Sequence, residues 1–229
     1  MTVMINFNNL IDKYVEREHH PKGIGRYYPS EAGMCMRKVF YSYKHPSEID
    51  PDLRKIFEMG NIIHDFVVEV LKSEKQTDVE LLKTELPFKE KFEDIEISGR
   101  VDDVILVKAS GKTYLVEVKS AKSIEYKKEA APHNVQQLQL YMHFTGIHNG
   151  ILLYVDKSNL KTKSFEISYD ENEAKHILER FKTLHKHLTE DMLPEAEARA
   201  HKNVNWMCSY CEYKDRCFKD TPKAKHENE

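Results

Sequence analysis

The chain has 229 residues, with 35 Lys+Arg against 38 Asp+Glu for a formal charge of −3, and four cysteines. Its 40% hydrophobic and 10% aromatic content can fill a core, and a balanced charged fraction of 32% excludes a one-sign disordered chain. The longest apolar stretches, such as 150–155, fall far short of the ~20 residues that cross a bilayer, so no membrane partner is expected. Asp12, Lys13 and Glu16 interrupt the N-terminal apolar residues, unlike a secretory signal. The expected location is intracellular: a reducing, cytoplasmic compartment where four cysteines point to metal ligation rather than disulfides.

Along the chain, Phe7, Leu10, Ile11, Tyr14 and Val15 share one helical stripe, and Ile56, Ile63, Phe66, Val67 and Val70 another. Between them, Ser30 followed by Cys35, Val39 and Phe40 predicts a short helix. From Leu81 the period changes to two. Glu85 to Phe88, Ile95 to Ser98, Val101 to Val107 and Thr113 to Lys119 read as strands, with Ala109-Ser110-Gly111-Lys112 turning between the last two. A helix is predicted over 132–144, opened by Pro132, then strands over 151–155 and 164–168. Ile177, Phe181, Leu184 and Leu188 mark a long amphipathic helix ending before Pro194. The order is that of an α/β protein in which an antiparallel meander feeds a crossover.

Strand alternation over 113–119 puts Leu115, Glu117 and Lys119 on one face, so an acid and a base project side by side. Gly99-Arg100-Val101-Asp102 brings a second carboxylate toward the same end of the preceding hairpin. Two converging carboxylates form a hard oxygen site suited to Mg²⁺ or Mn²⁺, and a neighbouring lysine suits phosphodiester hydrolysis. Taken singly, this pattern is also that of a solvated strand face. Upstream, Gly60-Asn61-Ile62-Ile63-His64 sets one histidine on a helix. Downstream, Gln137 and Tyr141 stand four apart on one helical face, with His133 a turn earlier.

The order G-x-x-x-H, G-x-x-D, E-V-K, Q-x-x-x-Y resembles the PD-(D/E)XK nuclease superfamily, and its RecB-like branch in particular. The resemblance implies a mixed sheet flanked by helices. It implies metal ligation by His64, Asp102, Glu117 and the backbone carbonyl of Val118, with Lys119 as catalytic lysine and Gln137 and Tyr141 in support. Val101-Asp102 stands where the superfamily name has Pro-Asp. Asp103 is a rival to Asp102, but the spacing from Gly99 favours Asp102, and Asp103 is expected to face the other way.

Cys208-Ser209-Tyr210-Cys211 and Cys217 form a C-x2-C-x5-C cluster, which taken alone is compatible with a zinc knuckle, a redox pair or an iron–sulfur site. Cys35 is the one other cysteine. One cysteine before the core and three after it resembles the iron–sulfur nucleases: the CRISPR-associated RecB-like exonucleases (the Cas-four family), the AddB nuclease domain and the nuclease domain of the Dna-two helicase. The resemblance covers roughly 28–218. It implies a 4Fe-4S cluster on Cys35, Cys208, Cys211 and Cys217, with 2Fe-2S or Zn²⁺ as alternatives, and a structural role for it. The chain then divides into a helical N-terminal segment (1–80), the nuclease core (81–192), a cysteine region packed on the N-terminal segment (193–220) and a frayed tail (221–229).

The implied activity is a metal-dependent exonuclease acting on single-stranded or end-frayed DNA from 5′ to 3′. An adaptor that binds CRISPR integrase proteins and selects or trims prespacers, and a zinc-stabilised DNA-binding module, are the other readings. The charge of −3 does not oppose a DNA partner. From Lys108 to Lys128, six lysines face Glu117 and Glu125, a local excess of +4 around the candidate site.

Overall fold

The computed structural model describes residues 5–17 and 20–220, so the tail expected to fray lies outside the described residues. The chain begins with α1 (Phe7–Val15), the two-residue β1 (Arg26–Tyr27), a 3-10 helix (Pro29–Glu31), α2 (Met36–Lys44) and α3 (Pro51–Lys72). An antiparallel meander follows: β2 (Val79–Phe92), β3 (Ile95–Val107) and β4 (Lys112–Ala121). Helix α4 (Pro132–Thr145) then crosses to β5 (Asn149–Asp156), parallel to β4, and β6 (Thr162–Ser168) returns antiparallel. The remainder is α5 (Glu171–Thr189), α6 (Glu197–Ala200), a 3-10 helix (Asn205–Tyr210) and α7 (Lys214–Asp220).

The result is a mixed sheet ordered β1-β3-β4-β5-β6, with β2 also paired to β3. β2 follows the whole of β3. The opposite edge of β3 is shared by β4, against 103–107, and by β1, against Glu96 and Ile97. The two expected strands over 95–107 are therefore one. Gly99 does not mark a turn: a Cβ there would stand 3.1 Å from Pro29 Cδ and 3.2 Å from Phe88 Cε1, so the glycine permits a close approach within a continuous strand.

Helices cover both faces of the sheet. Ile63 and Val67 of α3 pack with Ile105, Val116, Val118 and Val155. On the other face, Leu138, Tyr141 and Met142 of α4 pack with Val104, Leu115 and Leu152. Along β4, Leu115 thus faces α4 while Val116 and Val118 face α3, and period-two alternation sends Glu117 and Lys119 toward α4. Pro132 opens α4 and Gly146, at φ +70°, closes it in the left-handed conformation. Asp50 caps α3 through the Asp52 and Leu53 N–H groups, behind Pro51 in the first turn.

Both N-terminal apolar stripes form helices, but they bury less than the pattern predicts. On α1 only Val15 is buried, while Phe7, Leu10, Ile11 and Tyr14 are exposed. On α3, Ile56, Phe66 and Val70 are exposed. The reason is placement, since α3 meets the sheet along one narrow face and α1 rests on α3 rather than on the sheet.

The cysteine region is tied to α2 by polar contacts from several side chains. Glu197 accepts from the Met36 N–H at 2.9 Å, Arg37 Nε donates to the Pro194 carbonyl at 2.7 Å, and the Tyr41 hydroxyl donates to Asp220 at 2.6 Å.

Candidate active site

The β3/β4 ladder ends at the pair Asp103 with Val116. Beyond it the strands part, and the Val118 N–H turns to the Asp102 carboxylate, 2.8 Å from Oδ2. Asp102 and the next residues of β4 thus share a wedge that the sheet leaves open. Inside it, Lys119 Nζ lies 2.7 Å from Glu117 Oε1 and donates to Gln137 Oε1 at 3.0 Å. Gln137 Nε2 donates to Glu117 Oε1 at 2.8 Å and to the Tyr141 hydroxyl at 2.9 Å. Both hydrogens and the oxygen of this amide are therefore engaged, and a flipped amide would set an N–H against the ammonium. Five of the expected residues, Asp102, Glu117, Lys119, Gln137 and Tyr141, meet around this wedge.

Burial sets the electrostatics. It pushes Glu117 up to about 7 against the opposing charge of Lys119. It raises Asp102 as well, opposed by the Val118 N–H. For Lys119 burial works against the charge, but Glu117 outweighs it and keeps the ammonium above its usual range. Burial raises the Tyr141 phenol, which stays neutral.

His64 is placed differently from the expected ligand set. Its Nε2 lies 3.5 Å from Asp103 Oδ2 and its Nδ1 3.6 Å from Glu85 Oε1. Among the described residues, the set of three donors mutually within 4.8 Å is His64, Glu85 and Asp102, with Glu117 outside it. Asp103, fully buried, shares its strand face with Ile105, opposite to Asp102. The Asp103 carboxylate, then Asp102 and Glu85, raise His64 to about 9 in spite of burial.

Glu85 is the residue that the motif pattern misses. The β2/β3 register, Thr84 with Asp103 and Leu86 with Val101, sets it opposite Asp102, and its φ of +51° is rare for a side-chain-bearing residue. Like charges facing across a strand pair repel. His64 lies between them, and Arg100 pairs with Glu85 from the solvent side. Only a charged residue in a strand marks Glu85 in the sequence.

A divalent cation fits these residues. Glu117 Oε2 is buried without a hydrogen-bond partner, and a buried acceptor of this kind calls for a cation or water, whereas the Asp103 carboxylate and His64 Nε2 face each other at 3.5 Å. The donors are mostly carboxylate oxygens, the set that Mg²⁺ and Mn²⁺ prefer.

The four cysteines line one cavity, together with Arg37, Lys38, Arg199 and Lys214. Arg37 Nη1 approaches Cys217 Sγ at 3.9 Å. Burial, followed by the charges of Cys35 and Cys217, raises the Cys208 thiol.

A sequence profile of the PD-(D/E)XK nuclease superfamily matches residues 61–218, from the helix of His64 to beyond the last cysteine. The chain belongs to this superfamily. Of solved structures, that of the protein SSO0001 superimposes with a TM-score of 0.66 at 24% identity, covering 92% of this chain and 95% of that one. The alkaline exonuclease LHK-Exo of Laribacter hongkongensis, in complex with dAMP, has a TM-score of 0.49 at 14% identity over 74% of this chain and 90% of that one. A phage related exonuclease from Haemophilus somnus 129PT has 0.48 at 13% over 81% and 97%. No curated protein sequence matches. At these identities the likeness is one of fold. Among the described residues no helix is long and apolar enough to cross a membrane.

Proposed function

We propose that the chain is a divalent-metal-dependent deoxyribonuclease, an exonuclease that hydrolyses phosphodiesters at single-stranded or splayed DNA ends from 5′ to 3′. The observation that carries the reading is the buried Glu117 carboxylate. One of its oxygens is held by Lys119 and Gln137, and the other is without a partner beside Asp102. Mg²⁺ or Mn²⁺ held by Asp102, Glu117 and the Val118 carbonyl, with His64 as a further ligand, would polarise a phosphoryl oxygen and acidify a water.

The chain's own groups do the rest. Of the three N–H bonds of the Lys119 ammonium, Glu117 and Gln137 occupy two, which leaves one for the attacking water or a phosphate oxygen. Gln137 fixes the ammonium and the carboxylate relative to each other, and Tyr141 fixes Gln137. Polarity and the preference for frayed ends rest on the resemblance to the Cas-four family. So does the cellular task we infer, trimming prespacer DNA for CRISPR integrase proteins.

Cys35, Cys208, Cys211 and Cys217 are proposed to hold a 4Fe-4S cluster. All four cysteines line one cavity, as ligands of a single shared group must. The four cationic side chains of the cavity suit a cluster whose thiolates leave it anionic.

The reading is tested by digesting end-labelled single-stranded and duplex DNA with Mg²⁺ or Mn²⁺, comparing the wild type with Lys119→Ala. Metal-dependent shortening from one end, lost in the variant while DNA binding persists, is the expected result. No cleavage by the wild type with either metal, or equal cleavage by the variant, would overturn it.

A further inference from the structure

Trp206 is the one tryptophan of the chain, and it is 44% exposed although the next residue, Met207, is buried. Its ring lies 5.5 Å from that of His133, tilted by 44°. His133 stands in the first turn of α4, one turn before Gln137. Burial, and then the charges of Lys119 and Lys127, hold its imidazole below the ordinary range, so both ammonium groups act on His133. The position is rigid. A Cβ on Gly33 would come within 2.3 Å of His133 Cα, which shows how tightly the loop that leads to Cys35 presses on this turn. Behind Trp206, the same 3-10 helix carries Cys208.

A tryptophan whose role is packing is normally deeply buried. This one packs against the ring of His133, one helical turn before Gln137 of the candidate site, and is still 44% exposed. Lysines 122 and 128 are exposed on the same loop as Lys127. Positive charge together with an open aromatic face is the combination that binds single-stranded nucleic acid: lysines hold phosphates and the ring stacks on an unpaired base. Within a duplex the base faces are covered by their neighbours.

We propose that Trp206 is the base-stacking platform for the single-stranded end entering the site, so that the chain binds an unpaired base as well as phosphate charge. The proposal rests on the DNA-cleaving reading above and names the part of the substrate that is recognised.

The test uses the full chain, purified anaerobically with its bound metal and without added Mg²⁺ or Mn²⁺. Two labelled oligomers of about eight nucleotides are compared, one of deoxythymidylate and one abasic with the same phosphates. Binding is followed by anisotropy and Trp206 by its own fluorescence. Deoxythymidylate is expected to change the emission, whereas the abasic oligomer binds without doing so. Trp206→Ala should weaken deoxythymidylate binding by about 5- to 150-fold, the value of one base–aromatic stack, and leave abasic binding and iron content unchanged. Trp206→Phe should restore part of the loss. Deoxythymidylate binding with unchanged emission, or an equal loss for both oligomers in Trp206→Ala, would overturn the stacking role alone. Failure of the wild type to bind either oligomer would remove the DNA reading and the platform together.

Discussion

Gln137, on α4, donates to Glu117 Oε1 on β4 at 2.8 Å, and its amide oxygen accepts from Lys119 at 3.0 Å. One neutral side chain from the crossover helix therefore bridges the acid and the base that β4 sets side by side. Gln137→Leu keeps the volume and removes both bonds. Losing a hydrogen bond to each of two charged groups costs about 1.5–3 kcal/mol where the geometry is used in the transition state, or roughly 10- to 150-fold in kcat. Single-turnover digestion of a 5′-labelled strand measures it, and a kcat equal to wild type would show that the bridge does not matter for the chemistry.

Asp102→Asn and Glu117→Ala each remove a carboxylate from the wedge, and both are expected to abolish hydrolysis while the fold melts near the wild-type temperature. Glu85→Gln tests the residue across from Asp102. Neutralising a residue that orients His64 and Asp102 should weaken Mn²⁺ binding by about 10-fold, the size typical of outer partners of a metal site. Calorimetric titration of the three variants with Mn²⁺ measures this. Undiminished affinity in Glu85→Gln would place Glu85 outside the metal's surroundings.

The contrast between Asp102 and Glu85 shows what the sequence makes legible. Asp102, Glu117, Lys119, Gln137 and Tyr141 lie at fixed short spacings on regular elements, so alternation and helical period alone set their directions. Glu85 reaches the same place through strand register and a backbone at φ +51°, neither of which has a local signature. The strands expected over 95–98 and 101–107 run on as one, and the glycine between them is explained by the side chains of Pro29 and Phe88, distant in sequence. The exposed stripes of α1 and α3 have the same origin: periodicity reveals a helix and its apolar face but not what lies against that face. The four cysteines were legible as a set through their composition and order, while the cationic side chains around them come from three separate helices, α2, α6 and α7.

If the cysteines hold a 4Fe-4S cluster, Cys35→Ser is the informative variant, because Cys35 is the ligand contributed from the N-terminal side. Wild-type protein purified anaerobically should be brown and contain iron. Cys35→Ser should lose most of the colour and iron and melt at a lower temperature, since α2 and the cysteine region would keep only their direct contacts, the hydrogen bonds and the packing of Tyr213 on Tyr41. Iron analysis, the visible spectrum and calorimetry measure this. A colourless, zinc-loaded wild type with full nuclease activity would count against the cluster.

Arg180 grips the Glu197 carboxylate with two nitrogens, and the same carboxylate accepts the Met36 N–H at the start of α2, next to Cys35. Burial acts to raise Glu197, but Arg180 and the Met36 N–H prevail and hold it below the usual carboxylate range. A depressed folded-state pKa stabilises the fold above the unfolded value, near 4.3 for glutamate, and the contribution disappears as pH falls through the folded value. Glu197→Gln should therefore cost about 2 kcal/mol at pH 7, or roughly 4–8 °C in Tm for a chain of this size. The gap between wild type and variant should begin to close as pH falls below the unfolded value and shrink further through the lowered folded value. Melting curves over the acid range decide the matter, since a gap that does not change with pH would mean that the pair contributes shape and not charge.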